Sequence, residues 1–345
     1  MSLRLTRSIF LLAWLLAPAA LWAARIDNVV AQQDDARVIV EFDLAGATEK
    51  SFVSLLPRFG ERALAPNRLS LSGDVGLVEP GPGKRIVWDA GADYPAGLAG
   101  PVDFEITAVD VSREPVSGLL FASLAGECFE MGCGEWNEYC EPDELPVFVA
   151  CPGPFALSVS PVHNSAFAAF MNDTGHTAAP PGVVFANGRH TASPGLEEEP
   201  VSAVSREDAE AFAAWLSRRT GERFALPDEA QWEYACRSGG RLFPFGSVTG
   251  RMGGDLNSPQ QENSGTNLLG CEDMSGGLWE WMADDYLPYP LYTANARPGQ
   301  EGLAGVLRGG RIGSPLRNSR CANRYERAPD MRDATSTFRL VRLEE

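Results

Sequence analysis

Between Arg37 and Leu44 the chain alternates, with Val38, Val40, Phe42 and Leu44 on one side and Ile39, Glu41 and Asp43 on the other. A period of two is the mark of a half-buried strand. Residues 51–56, 84–89 and 102–109 continue the pattern, and Gly/Pro/Asp clusters at 73–74, 80–83 and 95–97 separate the runs. Short strands with such punctuation predict a small, immunoglobulin-like all-β sandwich over residues 25–111. It holds no histidine, no cysteine and no clustered catalytic carboxylates, as expected of a spacer or docking module.

The periodicity then changes. Residues 112–125, with Ser112-Arg-Glu-Pro-Val-Ser117, read as a linker, and a second domain is expected over 126–345. Three helices stand out in it. Asn164 caps a segment with Phe167, Phe170 and Met171 on one face, closed by Gly175. Ser205-Arg-Glu-Asp208 opens the next in capping-box style, followed by Ala209, Phe212, Ala213 and Leu216 at helical spacing. Pro227-Asp228-Glu229 starts a third, stopped at Ser238-Gly-Gly240. Beyond Gly240 no helical period recurs, although 306–308 and 338–342 alternate like strands on either side of a Gly- and Arg-rich stretch. So much irregular chain needs cross-links, metal ions or dense polar networks to hold it.

Composition adds a compartment. Arg4 and Arg7, an apolar run from Ile9 to Ala17 and the small residues ending at Ala24 read as an export signal over 1–24, making the chain exported, most simply periplasmic. No cysteine precedes Cys128, which leaves none for lipid attachment at the cleavage site. Removing the two signal arginines from 29 basic residues leaves 27 against 46 acidic, a mature charge of 27 − 46 = −19. Such a surface repels phosphate backbones and sets nucleic-acid binding aside. Seven cysteines in an exported chain read as a disulfide framework with one thiol left over. No C-x-x-C pair argues for zinc, and the spacings of 5, 7 and 11 among Cys128, Cys133, Cys140 and Cys151 suit loop staples.

Seven collinear motifs then become recognisable. Phe129-Glu-Met-Gly132, Pro200-Val-Ser-Ala-Val-Ser-Arg-Glu-Asp-Ala209, Phe224-Ala-Leu-Pro-Asp-Glu-Ala-Gln-Trp-Glu-Tyr-Ala235, Phe243-Pro-Phe-Gly246, Asp273-Met-Ser-Gly-Gly-Leu-Trp-Glu-Trp281, Leu307-Arg-Gly-Gly310 and Phe338-Arg339 occur in this order. Together they resemble the formylglycine-generating enzyme (sulfatase-modifying factor) family. The resemblance implies a compact α+β domain related to the C-type lectin fold, usually stabilised by calcium, behind a β-sandwich as in bacterial relatives. It pairs Cys236 with Cys321; a second family disulfide would need cysteines at Ala213 and Leu340 and is absent. The first four cysteines then have three possible pairings among themselves, and Cys271, at an apolar position of the family pattern, is expected to be a buried inert thiol. By the same resemblance Asp273 and Glu280 bind calcium through side chains, Gly276 and Leu278 through backbone oxygens, which is the hard-oxygen chemistry that ion requires. Asn257 and Ser258 belong to a second family site whose following loop is shortened here.

The family's catalysts use two cysteines, four and nine positions after the Gly-Gly motif. Counted from Gly310 these are Ser314 and Ser319, with a three-residue length difference before Cys321. Serine hydroxyls do not replace thiolates as Cu(I) ligands. Iron-dependent relatives use three histidines from an added helical domain; this chain has His163, His176 and His190 and no such domain. No copper or iron is expected, nor a catalytic set. The expectation is a non-catalytic, exported binding or regulatory protein, plausibly an activator in a periplasmic threonine-kinase pathway of type VI secretion. Its partner would be a periplasmic region of a membrane kinase or its regulators. The candidate recognition residues are Trp279, Trp281, Arg308, Arg311, Arg317, Arg320 and Arg324. The competing expectation is a divergent oxidase or protein-modifying enzyme, for example through Cys271.

Overall fold

The computed structural model describes residues 24–47, 49–59, 62–63, 69–98, 100–135, 137, 139–241, 246, 265–289 and 304–344. The expected export signal up to residue 23, Phe243-Pro-Phe245, and Asn257 with Ser258 lie outside them. The chain divides into two compact units, Met1–Ser112 with Leu268–Gly270, and Arg113–Asn267 with Cys271–Glu345.

In the first unit, β1 (Arg25–Asp34), β2 (Arg37–Ala45), β5 (Leu71–Gly73) and β7 (Gly81–Asp89) form one antiparallel sheet in the order β1-β2-β7-β5. Opposite it, β3 (Lys50–Phe59) pairs with β4 (Arg62–Ala63), β6 (Gly76–Val78) and β8 (Asp103–Arg113). The alternation foreseen for β2 is what closes this sandwich: Val38, Val40, Phe42 and Leu44 pack with Val53, Leu55, Ile86 and Trp88. A single short helix, α1 (Ala90–Asp93), follows β7 and is capped by Asp89, which accepts the Ala92 N–H at 3.0 Å.

The expected linker needs correcting. Strand β8 runs to Arg113, and β9 (Leu120–Leu124) already belongs to the second unit. The Glu-Pro signal makes only a tight turn, in which the Glu114 carboxylate accepts the Val116 and Ser117 N–H groups at 2.7 and 2.6 Å. Leu119, Phe121, Ala122 and Leu124 are buried, and that apolar run outweighs the turn residues before it.

The second unit builds a sheet β9-β12-β20-β15 from β9, β12 (Phe155–Ser158), β15 (Phe224–Ala225) and β20 (Val341–Leu343). Two hairpins, β10–β11 (Phe129–Met131, Phe148–Ala150) and β13–β14 (Val183–Ala186, Arg189–Ala192), stand beside it. A further sheet has the order β18-β17-β16-β19, from β16 (Trp279–Asp285), β17 (Gly305–Arg308), β18 (Tyr325–Arg327) and β19 (Ser336–Thr337). Helices α2 (Asn164–Thr174) and α3 (Arg206–Thr220) bring Phe167, Phe170, Phe212 and Trp215 against Trp281, Leu307, Phe338 and Leu340. The third helix, α4 (Glu229–Cys236), is buried along its whole length.

Helix ends match their local chemistry, with one shift. His163, not Asn164, is the cap residue of α2, because the Asn164 side chain is diverted to the Leu196 carbonyl at 3.0 Å. Gly175 ends that helix in the left-handed region at φ 71°. At α3 the capping box forms as written: Ser205 Oγ accepts the Asp208 N–H at 3.1 Å and Asp208 accepts the Ser205 N–H at 2.9 Å. Asp208 also takes both Arg332 donors and His176 Nε2, each within 2.7 Å.

Burial alone would raise the Asp208 carboxyl, but the bonds from Arg332, Ser205 and His176 outweigh it and hold the group at about 2. A depressed carboxyl contributes stability that is full above its unfolded value near 3.8 and disappears as pH falls towards 2. Asp208→Asn should therefore lower stability at pH 7 by about 2 kcal/mol. In urea titrations at pH 2.5 the gap between variant and parent should shrink markedly; an undiminished gap there would refute the assignment.

Candidate functional site

Two carboxylates on α4 organise the second unit. Glu229 and Glu233 are one turn apart on a helix whose other side chains include Trp232, Tyr234 and Cys236, and both are fully buried. Buried charges persist only when paired and hydrogen-bonded. Glu229 receives Arg324 through two bonds of 2.7 Å. Glu233 receives Arg308, the Gly132 N–H at 2.9 Å and Arg237 at 3.0 Å. Arg308 continues to the Ala322 carbonyl at 2.8 Å and lies over the Trp232 ring, 5.5 Å from its centroid. Arg320 grips Glu144 in a two-bond fork, 2.7 Å each, while Asn323 donates to the same carboxylate at 3.1 Å.

These pairings correct the recognition surface expected from the sequence. Arg308 and Arg320 are completely buried and Arg324 is 4 % exposed, so none faces a partner. Trp281 is buried with its indole N–H on the Val204 carbonyl at 2.9 Å, and Trp279 stacks on Tyr325 with centroids 5.1 Å apart. Of the seven residues only Arg311 and Arg317 keep part of their surface in solvent. Sequence reasoning missed the counterions Glu144, Glu229 and Glu233. One signal was there to find: two carboxylates at i, i+4 on an otherwise apolar helix demand two buried cations.

The four residues expected to hold calcium are engaged to different degrees. Glu280 is buried, and its two oxygens accept from Arg339 at 2.6 and 2.7 Å and from Trp232 Nε1 at 2.8 Å. A carboxylate already neutralised by a guanidinium does not serve as a free anionic ligand. Asp273, at φ 53°, spends one oxygen on the Gly265 N–H at 3.0 Å. The Gly276 N–H donates to the Gly309 carbonyl at 2.6 Å, and the Leu278 carbonyl oxygen lies against Gly309. Asp273 and the backbone oxygens of Gly276 and Leu278 would supply part of the six to eight oxygens that Ca²⁺ takes, and Glu280 would join them only by sharing its carboxylate with Arg339.

Where the family's thiols are expected, the chain is closed and polar. Gly309 and Gly310 adopt φ 94° and 72°, and a Cβ on Gly310 would stand 2.7 Å from both Ser319 Oγ and the Asn318 carbonyl. Ser319 is fully buried with no hydrogen-bond partner for its hydroxyl, and Ser314 donates to the Arg311 carbonyl at 2.7 Å. Cys321 is bonded to Cys236, their Cα atoms 5.7 Å apart. That link closes a loop across 85 residues, a constraint of about 4 kcal/mol in chain-entropy terms. Cys128 pairs with Cys151 and Cys133 with Cys140. Cys271 alone is free, and burial pushes its thiol up to about 12. A thiol that far up is not a nucleophile at neutral pH.

The histidines are dispersed. His176 serves Asp208, and His190 packs on Phe185 with centroids 4.9 Å apart. His163 lies between Ser160 Oγ, 2.7 Å from Nε2, and Glu198, 3.1 Å from Nδ1, in the order of a nucleophile–base–acid relay. Two features deny it that role. The Glu198 side chain is 83 % exposed, and Pro161 removes the N–H that, directly after a nucleophile, commonly stabilises the oxyanion. Among the described residues the one three-member group with metal-ligand spacing is Cys133, Cys140 and Glu144, whose sulfurs are bonded to each other and whose carboxylate is held by Arg320.

At the N-terminus of α4, burial and then the neighbouring Glu229 push the Asp228 carboxyl up to about 6. Burial, Glu229 and Asp228 together raise Asp284 well above the carboxylate range. A raised carboxyl disfavours the folded state once the unfolded chain's group ionises, so this contribution is absent below pH 4, grows as pH rises towards 6 and is constant above it. Asp228→Asn keeps the capping oxygen. It should flatten the melting temperature between pH 4 and 6, and an unaltered slope would count against the assignment. Removing a partner from the ion lattice is far costlier: Glu233→Gln should lose about 3–5 kcal/mol in urea unfolding. Charge reversal at buried Arg324 should prevent folding, whereas Arg317→Glu, at a half-exposed position, should leave a folded protein.

Comparison with known proteins agrees with this architecture. The chain is 28 % identical over 261 residues to the serine/threonine-protein kinase Pkn1 of Chlamydia trachomatis, covering 69 % of this chain and 40 % of that one. It thus spans well under half the length of that relative. Formylglycine-generating enzyme of Streptomyces coelicolor is 29 % identical over 283 residues, 63 % of this chain and 87 % of the enzyme. Among solved structures, PvdO from Pseudomonas aeruginosa superposes with a TM-score of 0.56 at 26 % identity, over 68 % of this chain and 98 % of PvdO. Residues 121–344 match the family described as the sulfatase-modifying factor enzyme 1-like domain, and the chain belongs to that family.

Proposed function

We propose that this chain is an exported, non-catalytic binding or regulatory protein on a sulfatase-modifying-factor scaffold. The observation that carries the reading is the state of its sulfur atoms. Six cysteines are spent in three disulfides, and the seventh, Cys271, is buried with its thiol pushed up to about 12. Serines occupy the positions at which the resemblance expects the reactive pair. Neither Cu(I) binding nor redox cycling has a thiolate to work with.

Three disulfides in a chain with an export-like N-terminus support an oxidising compartment. Among the described residues no helix is long and apolar enough to cross a membrane. The match to a kinase named Pkn1 supports a link to protein phosphorylation. In its specific form the proposal is a role like that of TagR, the periplasmic activator in the threonine-phosphorylation pathway of type VI secretion. The partner is then a periplasmic region of a membrane kinase or its regulators.

Thiol titration separates this reading from a divergent oxidase. Without reductant, the folded protein should expose no reactive thiol and the unfolded protein one. Incubation with Cu(I), oxygen and a cysteine-containing sulfatase-type peptide should yield no aldehyde. Aldehyde formation, or rapid alkylation of Cys271 in the folded protein, would overturn the proposal.

A further inference from the structure

With the arginines turned inward, the surface left for recognition has the opposite charge. From Glu114 to Val162 the sequence carries eight carboxylates and no lysine, arginine or histidine. Within that span, residues 128–151 form an excursion whose ends are joined by Cys128–Cys151, with Cys133–Cys140 nested inside. Its inner face is anchored: Phe129 and Met131 are buried, Phe129 meets Tyr234 edge-on at 5.7 Å, and Glu144 is locked by Arg320.

Among the described residues the outer face has no such anchors. Val149 is 68 % exposed, with Leu145 and Tyr139 exposed by more than two fifths. Glu130, Glu135 and Glu141 are exposed among them. The fold brings these residues together: Val149 is the cross-strand partner of Glu130 on the β10–β11 hairpin. Tyr139 adjoins Cys140, which is tied to Cys133, and the Cys133 N–H bonds the Glu144 carbonyl at 3.1 Å, next to Leu145. A large apolar side chain held in water on a cross-linked backbone contributes nothing to the core, and its rigidity lowers the ordering cost of binding.

We propose that this doubly stapled excursion is a docking surface for a basic segment of a partner protein that also presents apolar side chains. The charge selects that class: carboxylates around an apolar patch repel phosphate and anionic lipid and attract lysine and arginine. The inference rests on the non-catalytic binding reading and supplies its surface.

The test uses the full mature chain and fluorescently labelled synthetic peptides with alternating lysine and leucine, lysine and serine, or glutamate and leucine. The lysine–leucine peptide should bind in anisotropy titrations and the other two should not. Val149→Asp with Leu145→Ser, and separately Glu130→Lys, should each weaken binding about tenfold. These positions are exposed, so near-ultraviolet circular dichroism should remain that of the parent. Equal binding of the lysine–serine peptide would reduce the effect to diffuse charge attraction and overturn the proposal, as would no binding or indifference to the patch variants. Oxidase activity would refute the non-catalytic reading without changing these titrations, and failed titrations would leave the thiol inventory as it stands.

Discussion

The second unit depends on burying the two carboxylates of α4. Glu229 and Glu233 enter the interior as anions, and the folded chain must supply cations at fixed positions or forfeit several kcal/mol for each. Arg324, just before β18, and Arg308, at the end of β17, meet that demand from 95 and 75 residues further along the chain. Glu144 and Arg320 repeat the arrangement across 176 residues, and Glu280 and Arg339 across 59. Each planar guanidinium satisfies several acceptors at once, often backbone carbonyls that no sheet would reach. The polar lattice thereby does for the loops what ladders do elsewhere.

Much of this was legible from residue patterns. The alternation in β2, the capping box before α3 and the glycine after α2 each rest on chemistry confined to a few neighbours, and each appears where the sequence puts it. The linker at 112–125 was misread because a Glu-Pro turn announces itself more loudly than the apolar strand behind it. Cys236 and Cys321 meet as the resemblance implies, whereas the pairing of the four earlier cysteines had no local determinant.

The arginines were the instructive failure. An arginine in a glycine-rich segment looks like a surface residue when its counterion is unknown, and the counterions lie far off in sequence. Nothing local distinguishes Arg317, half exposed, from Arg320, which is not exposed at all. The distinction is made by Glu144, itself disguised as one more acid in a strongly acidic stretch. Burial of ionic groups is a property of pairs, and a single chain read residue by residue does not display pairs.

Four charged members of the lattice have one more property in common. Glu233 is the centre of Trp-Glu-Tyr, Glu280 of Trp-Glu-Trp; Arg308 leads Arg-Gly-Gly and Arg339 closes Phe-Arg. The motifs by which such a domain is recognised are thus its internal electroneutrality written out along the chain. A descendant can shed its reactive sulfur and keep that signature intact, since what the signature encodes is the solvent-free balance of charge. Kinship read from these motifs certifies an architecture, and leaves open what occupation that architecture has taken up.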